Sequence, residues 1–201
     1  MSGIRLGKVV KSNNHCDYVV EVDDRLGVKN PPSPDAYAFG SFVKLGSEQG
    51  RWEIGIIYNT QLFNPTFLNN GPRLSSEPSP IFSPDLQTEM RTLLGVVLVG
   101  SLESVGDRQY GVQGIPRSVV PIHTVAYRMS DEEVYQFHQD RAGDTQFAYY
   151  GLLLNCGGTF APHLLQQVLN EVSLMFFGQQ RRALQILSKE LTWKITMGAM
   201  K

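Results

Sequence analysis

Over its first hundred residues the chain alternates short apolar runs with polar breaks, often at the period of two that suits a half-buried strand. Residues 4–10 (IRLGKVV) and 17–23 (DYVVEVD) are rich in β-branched side chains, and the polar stretch KSNNHC separates them. A connection containing proline and glycine, NPPSPDAYAFG, leads to a third run at 41–46. The fourth, GRWEIGIIYNT at 50–60, carries Gly55 in its middle. Glycine inside a strand marks a bulge, or a corner where another backbone comes close. Short strands at close spacing predict a small barrel or sandwich.

A proline-rich segment follows. Ser83, Pro84 and Asp85 read as a helix start, with cap, first-turn proline and an acid at the positive end of the dipole. The helix is expected to run to about Leu93 and to feed a strand at 95–102 (GVVLVGSL). That run has almost no polar alternation, so it predicts a central strand covered on both faces.

Beyond residue 130 the period changes to that of a helix. Ser130 and Glu133 form a capping box for DEEVYQFHQD, whose inward stripe is Val134, Phe137 and His138. Phe147, Tyr150 and Leu154 continue the period; Leu165, Val168, Leu169, Val172, Met175 and Phe176 line a second helix face. Leu184, Leu187, Leu191 and Ile195 line a third, with Gly178 expected as a C-cap between the two. Strands first and about four helices afterwards predict an α+β fold: a small barrel over 1–125 and a helical domain over 126–201.

The stretch NCGGTFAPHLLQQVL (155–169) invites three readings. A phosphate-binding loop needs a spaced second glycine and a following lysine, and it follows a strand; this segment has neither residue and follows a helical pattern. A cysteine nucleophile needs a base beside it, and nothing aims His163 at Cys156. The expected role is a bend: Gly157 and Gly158 end one helix, Thr159 caps the next, and Pro162 sits in its first turn. The four histidines show no metal-ligand spacing, and His15, Cys16 and Asp17 are adjacent, so they read as turn residues. VDDRLG (22–27) reads as a solvated turn with Arg25 as its counter-charge. Neither G-x-S-x-G nor G-x-G-x-x-G occurs. No catalytic, cofactor-binding or metal-ligating residue is therefore assigned, and the expectation is a chain that is not an enzyme and carries no cofactor.

Charge sharpens this picture. The net charge is −1, which lacks the electrostatic footprint of a nucleic-acid binder. Its distribution is uneven: residues 1–102 carry nine Lys/Arg and ten Asp/Glu, residues 103–178 four and eight, and residues 179–201 five and one. Arg181, Arg182, Lys189 and Lys194 in that last helix are the candidate partner-binding residues, although Arg181, Lys189 and Lys194 scatter around its axis. Cys16 and Cys156 are too few for a disulfide scaffold and read as reduced thiols. The N-terminus has no signal-peptide pattern, and the longest apolar run is half the length a membrane span needs, so a cytoplasmic location is expected.

The first half of the chain resembles the HAS-barrel, the small N-terminal β-barrel of HerA-type helicases and ATP synthase subunits. The likeness rests on Gly7-Lys8-Val9, Gly40-Ser41-Phe42-Val43, Glu53-Ile54-Gly55-Ile56-Ile57 and the proline-rich exit GIPRSVVPIHTV. The ATPase domain that follows the barrel in those proteins is replaced here by a helical segment. What the resemblance implies is the barrel's other role, docking partner proteins and helping to assemble rings. The first expectation is thus a non-catalytic interaction module that docks a protein partner or forms a homo-oligomer, through the basic last helix or an uncovered barrel edge. A second is a nucleic-acid-binding accessory factor with Tyr18, Phe42, Trp52 and Tyr58 as a stacking platform, disfavoured by the near-neutral barrel. A third is an active site of Asp, His and Tyr side chains assembled only by the fold.

Overall fold

The computed structural model describes residues 3–46, 51–63, 90–106 and 108–199, with side chains as far as Trp193. Among the described residues there are seven strands: β1 (Arg5–Ser12), β2 (Asp17–Val22), β3 (Phe42–Gly46), β4 (Arg51–Phe63), β5 (Arg91–Val105), β6 (Arg108–Gln113) and β7 (Val125–Arg128). Six of them close a barrel in the order β2-β1-β7-β3-β4-β5, with β5 returning to pair with β2. Every neighbouring pair is antiparallel. β6 lies outside the ring, folded back on the second half of β5. Four helices follow: α1 (Asp131–Phe137), α2 (Tyr150–Cys156), α3 (Ala161–Met175) and α4 (Gly178–Ala199). This is the α+β arrangement expected from the sequence.

The alternation of side chains along the strands makes two cores from one sheet. Leu94, Val96 and Leu98 of β5 point into the barrel with Leu6, Val9, Val20, Val43, Leu45 and Ile57. Val97, Val99 and Leu102 belong to a second core, against Phe137, Leu153, Leu164, Leu165 and Val168 of the helices. β5 is thus covered on both faces, as its unbroken apolar run predicts. Gly55 sits at a register shift of β4 against β5, and a Cβ there would fall 2.4 Å from a methyl of Val96.

Several local expectations give way to tertiary structure. Arg91–Leu93 are already strand, not the end of a helix; the proposed start at Ser83 lies outside the described residues. α2 begins only at Tyr150, because Thr145 bridges Gln139 and the Gln146 side chain donates to Gly111 O at 2.7 Å, which keeps this stretch out of a helix. Thr159 makes no cap: it lies in a short 3-10 turn, and Phe160 occupies the N-cap of α3 without a side-chain bond. Pro162 does sit in the first turn. Gly178, with φ 60°, opens α4; α3 has ended in the extended Phe176.

The helical layer is fastened to the barrel through β6. Gln113 donates to Phe137 O at 3.1 Å and accepts from Ala148 N at 2.7 Å, and Gly111 N donates to Gln139 O at 2.8 Å. So close is this approach that a Cβ on Gly111 would lie 1.9 Å from Phe137 O. Gly111→Ala must therefore push α1 off β6. It is expected to cost about 2 kcal/mol, read as a lower urea midpoint at unchanged m-value.

Candidate functional site

α1 lies over the outer wall of the barrel, and a cleft of about 890 Å³ opens between them, lined by Lys44, Trp52, Tyr127, Arg128, Glu133 and Gln136 among others. Lys44 reaches this face because β3 alternates: Val43 and Leu45 turn into the barrel core. Its ammonium donates to Glu133 and stands 4.9 Å from the centre of the Trp52 ring, which meets Tyr127 edge-on at 5.9 Å. Glu133 is also the N3 residue of α1. Its Oε2 accepts from Ser130 N at 2.9 Å, completing the expected capping box. Burial raises the Glu133 carboxyl, but the bonds from Lys44 and Ser130 and the charge of Lys44 outweigh it, so the pKa lies below the usual carboxylate value. The opposite charges of Lys44 and Glu133 thus meet at the joint between β3 and α1.

At the other end of α1, His138 is fully buried among Phe42, Phe137, Phe147 and Tyr149. Its Nδ1 lies 2.7 Å from Val134 O and its Nε2 2.8 Å from Tyr149 Oη. A carbonyl only accepts, so Nδ1 carries the proton and the Tyr149 hydroxyl donates to Nε2. Burial, partly opposed by the bond to Val134, lowers the imidazole pKa to about 4. Burial also pushes the Tyr149 phenol well above its usual value. Both polar groups are satisfied by each other, without an opening to solvent.

α4 offers a surface of a different kind. Its inner face, with Leu184 and Leu191 buried and Leu187 half-buried, packs chiefly on α3, where Gln166 donates to Thr192 at 2.6 Å and Ser188 to Asn170 at 3.1 Å. The opposite face carries Arg182, Ile186, Lys189 and Trp193, spaced by four, three and four residues and therefore in one line along the helix. All four are exposed, Ile186 at 58% and Trp193 at 65%. Arg182 and Lys189 form no ion pair among the described residues. Beside the start of α4 lies a hollow of about 380 Å³, lined by Asp131, Glu132, Tyr135, Met175, Phe176, Phe177 and Gln180.

A family model described as "Domain of unknown function (DUF8166)" matches residues 1–201, the whole chain. The chain belongs to that family. No curated protein matches it.

In this DUF8166 chain the candidate residues of the last helix divide. Arg182 and Lys189 stand on the exposed line of α4; Arg181 is half-buried beside the inner face, and the Lys194 side chain lies outside the described residues. The spacing of four, three and four residues from Arg182 to Trp193 adds Ile186 and Trp193 to that line, and neither is among the cations expected to bind a partner. The stacking platform does not form: Tyr18 is buried with its hydroxyl accepting from Val120 N, Phe42 is core, and Tyr58 donates to Asp17 at 2.8 Å from a half-buried position. His15 Nε2 approaches Pro116 O at 2.7 Å. Cys16 is buried, and burial first, then Cys156, pushes its thiol up. Asp24 closes the 22–27 turn by accepting from Leu26 N and Gly27 N, and Arg5 of β1, not Arg25, pairs with Asp23 at 2.6 Å. Among the described residues no cluster of three or more His, Cys, Asp or Glu could hold a metal ion, and no helix is long and apolar enough to cross a membrane.

Proposed function

We propose that this chain is a non-catalytic protein-interaction module, a barrel scaffold whose helical layer presents the outer face of α4 to a protein partner. The observation that carries this reading is the line Arg182, Ile186, Lys189 and Trp193, two cations interleaved with two large apolar side chains on the face opposite the packed one. Exposing an indole and an isoleucine on one stripe wastes apolar burial unless something covers them. Tryptophan and arginine are also the side chains that most often dominate binding energy at interfaces. The resemblance of the strands to the HAS-barrel supports the same reading, since that barrel serves docking and ring assembly. The cleft under α1 suits catalysis poorly, because Lys44 and Glu133 occupy one another.

The test is a native pull-down with the full chain as bait, alongside Trp193→Ala and Ile186→Ala baits. Both positions are exposed, so the variants keep the thermal midpoint. Trp193→Ala is expected to weaken retention of the bound polypeptide about tenfold or more, roughly 1.4 kcal/mol or above. Equal retention by all three baits, or none by any together with a lone monomer in light scattering, overturns the proposal.

A further inference from the structure

We infer that the partner received by the outer face of α4 is a second copy of this chain, whose acidic hollow beside α1 takes the indole of Trp193. This rests on the docking reading above and adds the identity of the occupant. The hollow is the chemical counterpart of the stripe. Its floor is apolar, with the Tyr135 and Phe176 rings 5.1 Å apart, and Phe177 on its rim is 79% exposed. Asp131 and Glu132 stand exposed at its edge, and neither forms an ion pair among the described residues. Glu133, the third acid of that turn, is taken by Lys44 and Ser130. Two carboxylates beside an aromatic floor, neither in an ion pair among the described residues although Glu132 accepts from Gln136 at 3.0 Å, therefore match two cations beside an indole that form no ion pair among those residues either. The charge of the whole chain follows the same division: residues 103–178 hold four cations and eight anions, residues 179–201 five and one.

One chain cannot bring these two surfaces together. Gln180, in the first turn of α4, lines the hollow, and Trp193 lies thirteen residues further along the same rigid helix, about 20 Å away. The indole also points away from the α3 side, to which Met175 and Phe176 belong. The complementary halves meet only between copies. If the contact is reciprocal it closes a two-fold dimer, each α4 lying on the α1 edge of the other chain; in one direction it builds a longer assembly.

The experiment is light scattering and sedimentation of the purified full chain from 1 to 100 µM, in 50 and in 500 mM NaCl. The expected result is a mass at or above twice 22.5 kDa that grows with concentration, with association at least tenfold weaker in the higher salt. Trp193→Ala, the pair Arg182→Glu/Lys189→Glu, and the pair Asp131→Lys/Glu132→Lys should each abolish it, while far-UV circular dichroism stays that of the parent chain. Combining all four charge reversals in one chain should restore it, because the signs then match again. A parent chain still monomeric at 100 µM overturns the inference, and so does association that the four reversals fail to restore. In the first case, capture of another polypeptide that Trp193→Ala abolishes leaves the docking reading standing without self-association. Binding to phosphatidylserine vesicles by a monomer, lost in Trp193→Ala, assigns the stripe to an anionic membrane surface and overturns both.

Discussion

Lowering the pH from 7 to 4 will cost the protein on the order of 3 kcal/mol of stability through one imidazole, that of His138. In the folded chain burial holds its pKa at about 4, whereas an unfolded histidine titrates near 6.5. Between those values the unfolded state binds a proton that the native state refuses, so stability rises with pH across the window and is complete above it. The structure explains the refusal. Nδ1–H is committed to Val134 O, Nε2 accepts the hydroxyl of Tyr149, and the walls are the rings of Phe42, Phe137 and Phe147. Protonation would place a full charge among these rings, and among the described residues no carboxylate charge acts on it. The measurement is the urea midpoint at half-unit steps from pH 7.5 to 4, for the parent chain and for His138→Gln. The glutamine variant starts lower, since it packs less well, yet its midpoint should be nearly flat from 6.5 to 4.5. A parent chain equally flat there would show that His138 titrates normally, and that the ring lies open to water.

That histidine also shows what could be read beforehand. Its place on the inward stripe of α1 follows from the helical period alone, as does the capping box of Ser130 and Glu133. The double burial of β5 was legible in its unbroken apolar run, and the bulge at Gly55 in a glycine within a strand. The failures share a cause, which is that long-range partners outbid local signals. Thr159 has the right residue type for a cap, but the chain makes a 3-10 turn before α3 begins. Arg25 neighbours the acids of its turn in sequence, while Arg5 meets Asp23 across a strand pairing that only the fold creates. Lys44 gave no sign of its role, because its partner Glu133 is 89 residues away. The exposed line on α4 is hard to see in the sequence for another reason. Counting cations alone makes the helix look scattered; including Ile186 and Trp193 turns the same residues into a face.

Lys44→Met is expected to destabilise the chain by about 3 kcal/mol at pH 7, because it strands the Glu133 carboxylate against the barrel wall with its principal cation gone. The lysine side chain is only 7% exposed and the glutamate 18%, so water replaces little of the lost interaction. Methionine keeps most of the volume and can still lie on Trp52, so the loss reports charge and hydrogen bonding more than packing. Glu133→Gln in the same chain should recover most of the cost, since an amide needs no counter-ion and can still accept from Ser130 N. The pH dependence separates this account from a simple cavity. In the parent chain the depressed carboxyl of Glu133 contributes stability that is full above its unfolded pKa and is lost as pH falls through the folded value. Without Lys44, burial dominates and the carboxyl rises, so Glu133 takes up a proton readily in the folded state. The gap between parent and Lys44→Met should therefore be widest near pH 7 and narrow on acidification towards pH 4. The loss at His138 runs in parallel in both chains and cancels from the difference. A gap that stays constant with pH would mean that Lys44 matters for its methylenes alone.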